Sequence, residues 1–90
     1  MSETKQNKVL IYTKDDCAYC VMAKKFLKNR DIVYEEIHLG SDFSKIDEVK
    51  EQTGWRTMPV ILIDNKVIGG YTDLKSLEDE GNLNHMLGLE

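Results

Sequence analysis

Val9-Leu10-Ile11-Tyr12-Thr13 leads through Lys14-Asp15-Asp16 into Cys17-Ala18-Tyr19-Cys20, and a periodic stretch from Val21 to Arg30 follows at once. The opening run is short, continuous and apolar, which marks a strand covered on both faces. Beyond Cys17 the apolar residues recur at helical spacing. At about 100° per residue, Cys20, Met22, Ala23, Phe26 and Leu27 share one face, while Lys24, Lys25 and Lys28 lie opposite. Cys17 and Cys20 are the only cysteines of the chain. A Cys-x-x-Cys between a strand and the first turn of a helix is a redox signature. As a staple it would close nearly the shortest possible loop and contribute little.

Helix geometry gives the two sulfurs different work. Cys17 precedes the first turn and stays accessible, and the free N–H groups and positive dipole end there favour a thiolate. Lys14 adds to this, whereas Asp15 and Asp16 oppose it. Cys20 leans towards the apolar face. Cys17 therefore reads as the attacking sulfur and Cys20 as the one that resolves the mixed disulfide. No metal is expected, because zinc wants four ligands, a second cysteine pair is lacking, and His38 and His85 sit at no ligand spacing.

Ninety residues at 41% hydrophobic content suffice for one core, so a single domain over 9–88 with a flexible lead-in at 1–8 is expected. The net charge of -4 and the lack of a basic stripe argue against nucleic acid and anionic membrane surfaces. The apolar runs are too short to span a membrane. Met1 to Lys8 shows no apolar leader, and with a redox pair this leads us to expect a cytoplasmic protein whose disulfide is transient and catalytic. A monomer is expected, since no apolar stripe demands a partner.

Ile32 to Leu39 reads as a second strand, with Val33, Ile37 and Leu39 on one face and Glu36 and His38, a solvated histidine, on the other. Gly40-Ser41-Asp42 makes a turn into a helix over Phe43 to Thr53, with Ile46 and Val49 inward, Ser44 and Asp47 at capping-box spacing and Gly54 as the stop. Val60 to Ile63, a turn at Asp64-Asn65 and Lys66 to Ile68 form an antiparallel pair. Gly69-Gly70 ends it, Thr72 or Asp73 caps a third helix that Gly81 terminates, and Asn82 caps a last turn carrying Leu83, Met86 and Leu87. The resulting α/β fold is βαβαββα, a four-stranded mixed sheet flanked by helices in a thioredoxin-like layout.

From Val9 to Leu87 the sequence resembles the glutaredoxin family. The resemblance rests on Lys14 before Cys17-Ala18-Tyr19-Cys20, then Thr53-Gly54-Trp55-Arg56-Thr57-Met58-Pro59, then Gly69-Gly70, then Thr72-Asp73-Leu74. It implies a dithiol, glutathione-dependent thiol–disulfide oxidoreductase with glutathione as reducing co-substrate and no permanently bound cofactor. Its partners would be glutathione and disulfide-containing or glutathionylated proteins, ribonucleotide reductase among them. The resemblance also implies a cis bond at Met58–Pro59, which turns the Met58 backbone towards Cys17 to pair with the cysteinyl part of glutathione.

Glutathione carries two carboxylates and an ammonium. Lys14 and Arg56 suit the glycine carboxylate, and Thr57 belongs to the same segment. The third helix start, with Gly70 and Thr72, suits the γ-glutamyl carboxylate, and Asp73 suits the ammonium while also able to cap the helix. Tyr19 offers an aromatic edge beside the mixed disulfide.

Two departures from the family stand out. Ala18 occupies a place where dithiol members often carry proline, and Trp55 one where they often carry a polar residue. Trp55 can line the groove, recruit a partner or simply pack. Two other functions share the layout. One is a small redoxin feeding ribonucleotide reductase from thioredoxin reductase, against which Lys14, Arg56, Thr72 and Asp73 argue. The other is a [2Fe-2S] carrier, in which Cys20 would compete with the cluster for Cys17.

Overall fold

The computed structural model describes residues 6–89. The elements run β1 (Val9–Thr13), α1 (Ala18–Asn29), β2 (Glu35–His38), α2 (Phe43–Thr53), β3 (Val60–Ile63), β4 (Lys66–Gly69), α3 (Tyr71–Asp79) and α4 (Leu83–Met86). The four strands lie in the order β2-β1-β3-β4. β1 pairs with β2 in parallel and with β3 antiparallel, and β3 pairs antiparallel with β4, so the sheet is mixed as expected. The short α4 extends the expected order to βαβαββαα.

Alternation along the strands splits the apolar residues between the two faces. Val9, Ile11, Ile61 and Ile63 pack with Ala23 and Leu27 of α1, Leu74 of α3, and Leu83 and Leu87 around α4. On the other face Val60 joins Ile46 and Val49 of α2, together with Met58 and Cys20. Cys20 thus sits in the smaller cluster, at the end of the sheet where β1 delivers the chain into α1. A tight turn at Asp64-Asn65, both at positive φ, joins β3 to β4.

Several boundaries differ from expectation for local reasons. β2 is only Glu35–His38. Ile32 is buried through a turn in which its N–H donates to the Leu27 carbonyl, and Val33 stays 61% exposed rather than joining the inner face. Asp42, not Ser44, caps α2, its carboxylate accepting the Lys45 N–H at 3.1 Å, while Gly54 at φ 73 ends that helix. α3 starts at Tyr71 with Gly70 as N-cap, so Thr72 and Asp73 lie inside its first turn. Asn82 makes no side-chain cap for α4. On α1, Met22 is 42% exposed despite its place on the apolar arc. Of the expected lead-in, residues 1–5 lie outside the described residues. Gln6 and Asn7 are tied down by hydrogen bonds to Val33, Met86 and Leu87.

Candidate active site

Cys17 is the N-cap of α1, in extended conformation, and this fixes the geometry of its sulfur. The Cys20 N–H, one of the donors a helix start leaves without an intrahelical partner, points at Cys17 Sγ at 3.1 Å. Such a donor together with the helix dipole stabilises negative charge on that sulfur. The two cysteines are joined as a disulfide. Cys17 is partly exposed and Cys20 is 2% exposed, so an incoming sulfur has access to Cys17 alone.

The segment ahead of β3 closes in from one side. The Met58–Pro59 bond is cis, and Cys17 Sγ lies 3.7 Å from the Met58 carbonyl oxygen. Met58 and Pro59 are buried, and they line a groove of about 200 Å³ with Tyr19, Trp55, Thr57, Gly70, Tyr71, Thr72 and Asp73. Tyr19 stacks on Tyr71 with ring centroids 6.0 Å apart. The start of α3 forms the far wall. There the Gly70 N–H donates to Asp73 Oδ2 at 3.0 Å, so one carboxylate oxygen is occupied in closing the first turn.

Gly69 is required by this wall. It holds φ at 121°, and a Cβ would come within 2.5 Å of Asp73 Oδ2. Gly70 is nearly as confined, since a Cβ there would meet the Pro59 carbonyl at 3.4 Å and Trp55 Nε1 at 3.6 Å. The Trp55 indole N–H is covered and finds no acceptor among the described residues.

Of the residues singled out in the sequence, Tyr19, Thr57, Met58, Pro59, Gly70, Thr72 and Asp73 therefore converge on one groove beside Cys17. Lys14 and Arg56 do not line it. Lys14 stands on the other side of the cysteines, and Arg56 lines a hollow with Asp47, Lys50, Glu51 and Gly54 at the end of α2. Trp55 both lines the groove and packs against the smaller core cluster. Tyr71 went unnoticed in the sequence, although its place between Gly70 and Thr72 was the available signal.

A second cleft, of about 450 Å³, flanks the cysteines on the Lys14 side and is lined by Thr13, Lys14, Asp15, Asp16, Cys17, Cys20, Lys24 and His38. The parallel register sets Ile11 beside Glu36 and Thr13 beside His38, which brings a chain of polar groups together. Buried Thr13 donates its hydroxyl to Glu36 Oε2 at 2.6 Å, and Lys24 Nζ donates to the same oxygen at 3.0 Å. The Thr13 hydroxyl, burial opposing it, and then Lys24 hold the Glu36 carboxyl below its ordinary range. His38 Nδ1 lies 2.9 Å from Thr13 Oγ1, and His38 Nε2 lies 2.9 Å from Asp15 Oδ1. Ser41 donates to Asp15 Oδ2 at 2.8 Å. The His38 bond first and the Ser41 bond second hold the Asp15 carboxyl low. His38 is thus half-exposed, as a solvated strand residue should be, yet engaged at both ring nitrogens.

A family model described as Glutaredoxin matches residues 9–68. The chain belongs to the glutaredoxin family. This glutaredoxin is 37% identical to Glutaredoxin 1 of Rickettsia typhi over 90 residues, covering 97% of this chain and 86% of the relative. To Glutaredoxin 3 of Escherichia coli K12 it is 37% identical over 79 residues, 88% of this chain and 95% of the relative. Among solved structures it resembles the glutaredoxin of Brucella melitensis, with TM-score 0.81, 34% identity and coverage of 98% and 96% of the two chains. It also resembles a buckwheat glutaredoxin–glutathione complex, with TM-score 0.80, 29% identity and coverage of 91% and 77%. The fold is thioredoxin-like. The protein is a dithiol thiol–disulfide oxidoreductase, and Cys17–Cys20 is its redox-active disulfide.

Proposed function

We propose that this glutaredoxin takes its electrons from glutathione and reduces both glutathione mixed disulfides and protein disulfides. The observation that supports this best is the juxtaposition of Cys17 Sγ with the groove floor at Met58, and of the groove's far wall with the start of α3. An extended cysteinyl residue would pair with the Met58 backbone while its sulfur meets Cys17. The N–H groups of the first turn of α3, with the Thr72 hydroxyl beside them, suit an α-carboxylate. The second Asp73 oxygen is available to an α-ammonium, because Gly70 occupies only Oδ2. Those groups belong to a γ-glutamyl end. That the related buckwheat protein was solved in a complex with glutathione supports the same reading. Lys14 and Arg56, the cations expected at the glycine carboxylate, flank the groove without lining it, and either would serve by swinging inward.

In this scheme the Cys17 thiolate attacks the glutathione sulfur of a mixed disulfide and expels the protein thiolate. A second glutathione thiolate then attacks the Cys17–glutathione disulfide, giving oxidised glutathione and free Cys17. With a protein disulfide, Cys17 forms the mixed disulfide, and Cys20 attacks Cys17 Sγ, frees the reduced protein and leaves the Cys17–Cys20 disulfide. Two glutathiones then reduce that bond through the same Cys17–glutathione intermediate.

The test is turnover of a mixed disulfide between glutathione and a small thiol, coupled to glutathione reductase and NADPH. Cys17→Ser abolishes turnover, and Cys20→Ser retains it while losing reduction of protein disulfides. Wild type inactive with glutathione but active with thioredoxin reductase would identify instead a redoxin of the kind that feeds ribonucleotide reductase.

A further inference from the structure

The second cleft holds a set of hydrogen bonds that the thiol chemistry described above does not use. Both oxygens of Asp15 are occupied, Oδ1 by His38 of β2 and Oδ2 by Ser41 of the β2–α2 turn. The backbone repeats the tie, with the Asp15 N–H donating to the Gly40 carbonyl at 3.0 Å and the Leu39 N–H to the Thr13 carbonyl at 2.8 Å. Asp15 is two residues from Cys17 and lines the same cleft, and Asp16 between them is held at φ 54. A carboxylate so placed disfavours a thiolate on Cys17 unless its charge is met elsewhere.

We propose that His38 is a positioning residue for the nucleophile: it holds the Asp15 carboxylate against β2 and partly neutralises it, so that the Cys17 thiolate is not opposed. The hydrogen count supports the role. Thr13 has one hydroxyl proton, and Glu36 Oε2, which also accepts from Lys24, takes it. The Asp15 carboxylate can only accept, so His38 Nε2 carries the proton of that contact and donates to Oδ1 at 2.9 Å, while Nδ1 faces Thr13 Oγ1. The other charged groups around His38, Asp15 and Cys17 are Lys14 and Asp16 on the same loop, Glu36 of β2 with Oε2 3.8 Å from His38 Nδ1, and Lys24 on α1, which is paired with Glu36. His38 and Ser41 hydrogen-bond the Asp15 carboxylate, and His38 does so from across the cleft on β2.

The inference rests on Cys17 being the attacking sulfur, and the test separates the two ideas. Reduced protein carrying Cys20→Ser is alkylated with iodoacetamide across pH 3 to 9, roughly the range over which tuned cysteines ionise, with the modified residue mapped by mass. Wild-type His38 gives the reference profile at Cys17. His38→Ala moves that profile to higher pH, with alkylation on its acid limb slowed about threefold, the effect of one nearby unscreened charge in a wet site. Adding Asp15→Asn to His38→Ala restores the reference profile, which loss of packing alone would not do. Circular dichroism checks that the fold is kept, as His38 is half-exposed. An unchanged profile in His38→Ala, or a double variant no better than the single one, overturns the proposal. A reference profile showing no acidified Cys17 at all would instead count against Cys17 as the nucleophile.

Discussion

Thr13 is the one buried polar residue among the described residues, and its hydroxyl is satisfied by Glu36 rather than by the strand it sits on. That single bond links the sheet interior to the ion pair between Lys24 and Glu36 on the surface. Thr13→Val keeps the shape and removes the donor. It should cost about 1 kcal/mol at pH 7, less than is usual for a bond to a charged acceptor, because Glu36 is open to water. The pH dependence has a definite sign. The folded-state Glu36 carboxyl lies below its ordinary 4.5, so its contribution is fully present above that value and is lost as pH falls through the folded value. Urea titrations of both proteins should therefore show a gap at pH 7 that narrows towards pH 3, the range in which a carboxyl of this kind gains its proton. A gap that stays constant into acid would mean that Thr13 stabilises through packing and not through Glu36.

Among the elements, α3 has its start defined by two glycines and one carboxylate. Gly70 caps it, Asp73 closes its first turn, and Gly69 gives the chain the φ that brings both into place. Gly69→Ala must either push Asp73 off Gly70 or leave the positive-φ region. Strain plus the lost cap should total roughly 3 kcal/mol. Because the same turn walls the groove, KM for a glutathione mixed disulfide should rise while Cys17 alkylation stays unchanged; equal loss of both would point to general unfolding.

The sequence made the α3 glycines legible, but not that the helix begins at Tyr71, since Thr72 and Asp73 are better caps by residue type than Gly70. For α2 the spacing of Ser44 and Asp47 competed with Asp42, and only the backbone conformation decides between them. β1, β3, β4 and α1 followed from apolar patterning together with the turn residues between them, whereas β2 was read too long and α4 only as a last turn. The His38–Thr13–Glu36 chain did not, because it depends on the parallel register of β1 and β2, a relation between residues far apart in sequence. Val33 was misread for a similar reason: β2 begins only at Glu35, so strand alternation does not reach it.

At the scale of the whole molecule, chemistry and closure occupy opposite ends of the sheet. Cys17 follows β1 at one end, while at the other the residues before β1 meet α4. The Asn7 N–H donates to the Leu87 carbonyl at 2.6 Å, and Asn7 Nδ2 donates to the Met86 carbonyl at 2.9 Å. Leu83 and Leu87 lie in the larger core with exposures of 2% and 0%. So short a helix as α4 has no stability of its own, and it stays in place through these two side chains and the bonds to Asn7. Leu87→Ala removes one of the anchors and leaves a void between α4 and the sheet. The cost should be about 2–5 kcal/mol, against a total stability of roughly 5–15 kcal/mol for a domain of this kind. At about 4–8 °C per kcal/mol, the melting temperature should fall by at least ~8 °C. Specific activity at 20 °C should be unaltered, because the substitution touches neither the groove nor the cleft. Scanning calorimetry and the coupled assay on one preparation check both halves. A small melting shift would show that α4 is held chiefly by the Asn7 hydrogen bonds. Lost activity without lost stability would mean that closure at the far end is coupled to the cysteines after all.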